Sequence, residues 1–219
     1  MFVHRQDIID IYEKNNKLSK HFGDDYTYIF LGNGNYIENE KTIVSRNFPD
    51  NIENYPLAVA YTGWYIIWKN LKIDSKYINL FEYDVKFKDI NKILESSDSD
   101  FKYYIELPLH TLYYDIMVQS RVYKRLEKNL DKWMVTTNLT IRTEVFYEFM
   151  EWFHTNVFNI DRDIRNIGHI FERYTTYFAN IHNKSMLYLP EVIEHFQLNS
   201  HNTCAFKRSF EEYLERLID

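Results

Sequence analysis

Strand-like and helix-like apolar runs alternate along residues 1–140, and no other feature of the chain constrains its fold as strongly. Short runs rich in Ile, Val, Tyr and Phe predict strands at Phe2-Val3 and over residues 26–31, 42–45, 76–81, 101–107 and 133–137. Between them, apolar residues at helical spacing predict helices over 7–16, 54–71, 89–96 and 110–130. Helices then dominate, over 143–158 and 164–181, with a Pro190-initiated helix and an amphipathic helix over 206–217 in the tail. Alternation of this kind predicts an α/β fold: a mixed, mostly parallel sheet flanked by helices, with a helical C-terminal part. Ligands of such sheets bind outside the carboxyl ends of the strands.

A chain of 219 residues with 45% hydrophobic residues suits one domain spanning 1–219. Its 19 Tyr and 16 Phe are an unusually rich aromatic complement, such as a Tyr-rich core would use. The net charge of −6 argues against a nucleic-acid partner, which needs basic surface; Arg121, Lys124, Arg125 and Lys128 form only a local basic patch. A single cysteine, Cys204, makes neither an internal disulfide nor a thiolate metal cluster, so a reducing compartment is expected. No run of 18 apolar residues predicts a membrane span, and the first residues carry no signal-peptide pattern. A cytoplasmic location follows as the expectation.

The strand expected over 76–81 runs out into Glu82-Tyr83-Asp84. Side chains at i and i+2 of an extended chain point to the same side, so both carboxylates can face one small volume. Two anions there repel unless a cation lies between them, and Mg²⁺ or Mn²⁺ prefers such oxygen ligands and bridges them to phosphates. Glu82 and Asp84 are therefore candidate metal ligands at a diphosphate site, although acid-x-acid triplets are also common in solvated turns.

Several motifs around this triplet carry a resemblance. A helix containing Trp64-Tyr65-x-x-Trp68-Lys69-Asn70 precedes a strand ending Leu80-Phe81-Glu82-Tyr83-Asp84, and Gly168-His169-Ile170-Phe171-Glu172-Arg173 follows near the C-terminal side. This order resembles glycosyltransferases of fold type A (GT-A), whose corresponding strand ends in Asp-x-Asp. Residues 60–84 and the Gly168–Arg173 segment look like capsular-polysaccharide glycosyltransferases, and the composition and size are similar to the N-terminal glycosyltransferase domain of a chlorovirus capsid-glycan protein. The resemblance spans roughly residues 1–185 and departs from the pattern at Glu82, where the family has Asp; Asp84 ranks ahead of it as metal ligand.

The resemblance implies transfer of a sugar from a UDP-sugar to a hydroxyl of an oligosaccharide or glycoprotein acceptor, with Mn²⁺ or Mg²⁺ as cofactor. Residues 1–100 would form the nucleotide-sugar half, and 101–219 the acceptor half with the C-terminal helices. The chlorovirus resemblance leans to inversion and to capsid glycan synthesis in a host cytoplasm. His4 and Arg5, after the first strand, are expected at the nucleotide, where Arg pairs with diphosphate. Thr62 and Gly63 lie inside a helix and point either to a nucleotide or to close helix–sheet packing. His169 is a candidate third metal ligand, and Asp163 and Glu172 are candidate bases, as is Asp115 on the 110–130 helix. A nucleotidyltransferase uses similar diphosphate chemistry, but its N-terminal Gly-rich loop is missing here. A non-catalytic carbohydrate-binding or interaction protein of the same fold is the other alternative.

Overall fold

A computed structural model describes residues 1–55, 58, 60–110, 117–123, 130–135, 138–164 and 167–196. The first strands follow the apolar runs: β1 (Phe2–Val3), β2 (Tyr28–Phe30) and β3 (Thr42–Val44), with the amphipathic helix α1 (Gln6–Lys14) and a single-turn helix α2 (Ser19–Phe22) between β1 and β2. These three strands pair in parallel in the order β1-β2-β3. Helix α3 (Ala60–Asn70) leads into β4 (Tyr77–Leu80), then β5 (Val85–Phe87) and α4 (Asn91–Glu95). Strands β6 (Phe101–Tyr103), β7 (Glu106–Pro108), β8 (Lys132–Met134) and β9 (Leu139–Arg142) follow. Helices α5 (Thr143–Phe153) and α6 (Ile167–Ile181) and strands β10 (Met186–Tyr188) and β11 (Ile193–His195) complete the described chain.

A second sheet has the order β10-β6-β9-β4. In it β9 runs antiparallel to both β4 and β6, while β10 is parallel to β6. A parallel bridge between Phe2 and Glu82, with Phe2 N–H donating to Phe81 O at 2.8 Å, joins β1 to the chain leaving β4. The strands therefore run β3-β2-β1-β4-β9-β6-β10, with only β9 reversed. The carboxyl ends of β1, β2, β3, β4, β6 and β10 share one edge. Two small antiparallel pairs, β5 with β11 and β7 with β8, lie outside this order.

The core packs α3, α5 and α6 together and α6 on β8. Trp64 of α3 is fully buried, its ring centroid 4.9 Å from Phe171 of α6 and 5.6 and 5.8 Å from Phe146 and Phe149 of α5. Tyr61, Trp64 and the flanking Phe residues are thus core, which accounts for much of the aromatic excess. Gly63 has a packing reason: a Cβ there would lie 2.3 and 2.4 Å from ring carbons of Phe2. Thr62 beside it is buried as well. Gly63 thus seats α3 on β1, which is the close helix–sheet packing that the sequence offers beside a nucleotide contact for Thr62 and Gly63.

The structure departs from the sequence reading in other places. Residues 101–107 form two strands, β6 on β9 and β7 on β8, because the chain changes partner between them. The central strand β9 was not expected; it is short, and its polar Thr140 and Arg142 break the apolar run. The 110–130 segment is not one continuous helix, since 117–123 contains turns around Ser120. There Asp161, fully buried, accepts hydrogen bonds from Ser120 Oγ and from Arg121 Nε at 3.1 Å. Helix α5 stops at Phe153 and continues as a π-helical turn, His154–Phe158, where His154 Nδ1 meets Tyr61 Oη at 2.8 Å. Pro190 initiates no helix; it lies between β10 and β11. The amphipathic helix expected over 206–217, and Cys204, lie outside the described residues.

Replacing Gly63 by Ala would gain roughly 1 kcal/mol of helix propensity but overpack the Phe2 ring, at a cost of about 1–3 kcal/mol. Net destabilisation is expected for Gly63→Ala in chemical denaturation, with most of it relieved when Phe2→Leu is added. Equal loss in the presence and absence of Phe2→Leu would disconnect the two residues.

Candidate active site

The acidic turn lies on the sheet edge that carries the carboxyl ends. Each of its residues is held from a different direction. Glu82 N–H donates to the side-chain oxygen of Asn138, just before β9, at 2.7 Å. Tyr12, buried on α1, donates its hydroxyl to Tyr83 O at 2.9 Å and to Val85 O at 3.3 Å, so it grips the backbone on both sides of Asp84. Phe196 N–H donates to Asp84 O at 3.0 Å. Burial, reinforced by the Asp84 charge, pushes the Tyr12 hydroxyl far above its ordinary range, so it stays a donor.

Asp84 is 6% exposed. Its Oδ2 is 3.2 Å from Nε2 of His195, the last residue of β11, and its Oδ1 is buried with no hydrogen-bond partner. The antiparallel pairing of β5 with β11 sets His195 opposite Val85 and so beside Asp84. His195 is pulled two ways. Burial opposes its charge, but the Asp84 carboxylate, by charge and hydrogen bond, and then Glu82 outweigh burial, and its pKa is raised above 6.5. A buried carboxylate oxygen left without a donor is costly unless a cation or donor arrives with a ligand.

His4 and Arg5 stand beside this turn. The His4 ring meets that of Tyr83 edge-on, 4.9 Å between centroids. Burial and then Arg5 lower the His4 pKa, with Asp7 and Asp84 opposing. Arg5 makes a two-pronged pair with Asp7, Nε to Oδ1 at 3.0 Å and Nη2 to Oδ2 at 2.5 Å, and both partners are exposed. An exposed pair of this kind adds little stability. The Gly32-Asn33-Gly34 loop closes in from β2. Gly32, at φ +80°, donates its N–H to both oxygens of Glu53 at 3.0 and 3.1 Å, and Arg46 Nη1 donates to Gly32 O at 2.7 Å. A Cβ at Gly34 would come within 3.0 Å of His4 O.

His169 and Glu172 share the less buried side of α6, a helix packed on α3, α5 and β8. Burial and then Arg173 lower the His169 pKa. The imidazole beside Asp84 is that of His195, which the sequence reading passed over because it expected a helix there. Arg173 is fully buried with its guanidinium 4.0 Å over the Trp133 ring, so the last residue of the Gly-x-x-x-Glu-Arg motif fastens α6 to β8. Asp163 is exposed, and the acid two residues before it, Asp161, is the buried one. Asp115 lies outside the described residues. Arg142, the last residue of β9, is tied to Asp98 and Asp100 at 3.1 Å each at the other end of the sheet. A cavity of about 710 Å³ also opens at that opposite edge, against Phe2, Ile29, Ile78 and Leu80. Its charged lining, Asp24, Asp25, Lys72 and Asp74, comes from loops that enter the strands, away from the acidic turn.

Among the described residues no group of three or more His, Cys, Asp or Glu stands ready to hold a metal. Asp84 and His195 supply two donors, with Glu82 near enough to act on His195 by charge. Such a set fits a hard cation that completes its shell with phosphate oxygens and water rather than a closed structural site.

No known family model matches the chain, and no curated protein matches its sequence. Two solved structures are similar. The bifunctional glycosyltransferase WbbM, in its apo structure, aligns with a TM-score of 0.54 at 11% identity over 78% of this chain. The chain spans 45% of the WbbM chain. The galactosyltransferase LgtC, solved with donor and acceptor sugar analogues, aligns with a TM-score of 0.47 at 11% identity over 99% of this chain and 94% of its own. Among the described residues no helix is long and apolar enough to cross a membrane.

Two measurements test the turn. Tyr12→Phe removes the donor to Tyr83 O and Val85 O and should destabilise the protein by about 1–3 kcal/mol, with faster amide exchange confined to residues 82–86. Unchanged exchange there would mean that Tyr12 does not hold the turn. Because the His195 pKa is raised, the stability from its pair with Asp84 is fully present below pH 6.5 and is lost as pH rises through the folded value above 6.5. The stability gap between wild type and His195→Asn should therefore be widest in mild acid and narrow towards alkaline pH. A gap that widens with pH would contradict the pairing. The sheet order and the flanking helices give this chain the GT-A-like fold of glycosyltransferases.

Proposed function

We propose that this protein is a metal-dependent glycosyltransferase that uses a UDP-sugar, with its diphosphate site at the acidic turn. The observation that carries the proposal is Asp84: a buried carboxylate with one oxygen on His195 and the other without a partner, at the carboxyl edge of a GT-A-like sheet. In this reading Asp84 and His195 hold Mn²⁺ or Mg²⁺, and Glu82, on its longer arm, serves the metal shell or the sugar-ribose side. A cation bound there would neutralise the leaving diphosphate as a Lewis acid. Arg5 exchanges its exposed bond to Asp7 for a phosphate oxygen, and the Gly32–Gly34 backbone borders the nucleotide beside His4. Tyr12 and Asn138 keep the turn from relaxing while charge moves onto the diphosphate.

The acceptor, an oligosaccharide or glycoprotein, enters from the half of the sheet formed by β6 to β10. Its hydroxyl needs a carboxylate base, for which Glu172, Asp163 and Asp115 remain the candidates. Inversion, and a setting in viral capsid glycan synthesis, belong to the same proposal and rest on the sequence resemblance.

Calorimetric titration with UDP tests the site directly. Binding should require Mn²⁺ or Mg²⁺, and Asp84→Asn should weaken it by at least about thirtyfold, equivalent to ~2 kcal/mol. His195→Ala should weaken the metal-dependent part with little effect on folding at alkaline pH. Absence of UDP binding with and without metal would overturn the proposal and favour a binding protein that keeps only the fold.

A further inference from the structure

The edge of the sheet remote from β3 carries an exposed aromatic pair that the turn does not use. Tyr188 ends the edge strand β10, and Tyr103 ends β6 directly opposite it in the register. Their rings stack with centroids 5.1 Å apart and planes 25° from parallel. Tyr103 covers one face of the Tyr188 ring, yet Tyr188 remains 43% exposed, and Met186 on the same strand face is 39% exposed. A large apolar ring held flat at the surface costs solvation unless something covers it.

The surroundings specify what could. Glu106 accepts from Tyr103 Oη at 2.7 Å through Oε2 and from Lys132 Nζ at 2.7 Å through Oε1. Each carboxylate oxygen has a second lone pair, and the ammonium has two further donors, so both groups retain capacity for hydroxyls. Lys132 is well exposed and Glu106 is half-buried, so the carboxylate is fixed and the amine is free to adjust. The charges of Glu106 and Lys132 both act on the Tyr188 hydroxyl, which places them at the platform's rim. A flat apolar face bordered by one fixed acceptor and one mobile donor suits a pyranose: its C–H face, slightly positive, lies on the negative face of the ring, and its hydroxyls reach the rim. A partner adding a strand to the edge fits less well, because β10 offers only three residues of backbone.

Strand direction links this platform to the proposed site. Both tyrosines end strands parallel to β4, so they lie on the same sheet edge as Asp84. The segment that carries Tyr188 turns through Leu189–Val192 and returns as β11 with His195. We propose that Tyr188, backed by Tyr103 and flanked by Glu106 and Lys132, is a pyranose-binding platform that holds the acceptor glycan; its assignment to the acceptor rests on the transferase reading above.

Saturation-transfer NMR of the whole chain with methyl glucoside, galactoside, mannoside and xyloside and with cellobiose tests it, run beside UDP calorimetry on the same samples. Sugar C–H signals are expected in wild type and Tyr188→Phe and should fall about tenfold in Tyr188→Ala, with UDP binding equal in all three. Should Tyr188→Ala fail to fold, Tyr188→Leu keeps bulk without a ring face and reads the same way. Signals absent in wild type, or undiminished without the ring, overturn the platform. Ring-dependent signals in a protein that binds no UDP would leave the platform standing as a glycan site and remove the transferase reading.

Discussion

A single backbone junction, Phe2 against Phe81 and Glu82, organises the molecule. It joins a three-stranded parallel sheet to a four-stranded mixed one, and without it the two would share no edge. The same two-residue strand also presses its Phe2 ring onto Gly63 of α3, so the junction is fixed in the sheet plane by hydrogen bonds and across it by packing. The consequence reaches the candidate site immediately. Strand β1 ends at His4 and Arg5, and its neighbour ends at Glu82 and Asp84, so pairing them brings a cationic end beside an acidic one. Their parallel alignment makes the two ends one surface.

The acidic turn is rigid for a reason that electrostatics alone would not supply. A buried carboxylate with one unsatisfied oxygen would normally rotate, protonate or draw in water. Here the backbone on both sides is held by Tyr12, the preceding amide by Asn138, and the following strand by Phe196 and the β5–β11 pair. The side chain is thus kept at the edge with His195 on one of its oxygens. An arrangement of this kind is poorly suited to stability and well suited to a ligand that brings its own charge. At the remote edge of the sheet the stacked Tyr103 and Tyr188 lie beside the Glu106–Lys132 ion pair, the arrangement proposed above for the acceptor.

Much of the frame was legible in the chain. The strands β1 to β4, the helix α1, and the apolar spacing of α3, α5 and α6 follow from local periodicity, because each must bury one face whatever its neighbours are. Glu82 and Asp84 were legible for a similar reason: acids at the end of an apolar strand must lie at a sheet edge. Thr62 and Gly63 were legible as a choice between a nucleotide contact and close packing, but the packing partner was not, since the ring that demands glycine sits sixty-one residues earlier in the sequence. The motif at Gly168–Arg173 marked a helix correctly, yet the role of Arg173 depends on Trp133, which no spacing rule connects to it.

Local sequence by itself therefore determined the class of fold and the position of the Glu82–Asp84 turn at a sheet edge. Tertiary structure alone decided the rest. His195 lies 111 residues beyond Asp84, and only the antiparallel pairing of β5 with β11 brings their side chains together. Tyr103 and Tyr188 likewise meet only through the register of β6 with β10. Periodicity reports which face of an element must be buried, because burial is a property of the residue and its immediate neighbours. It cannot report which distant element supplies the partner, because register is fixed by the packing of the whole sheet.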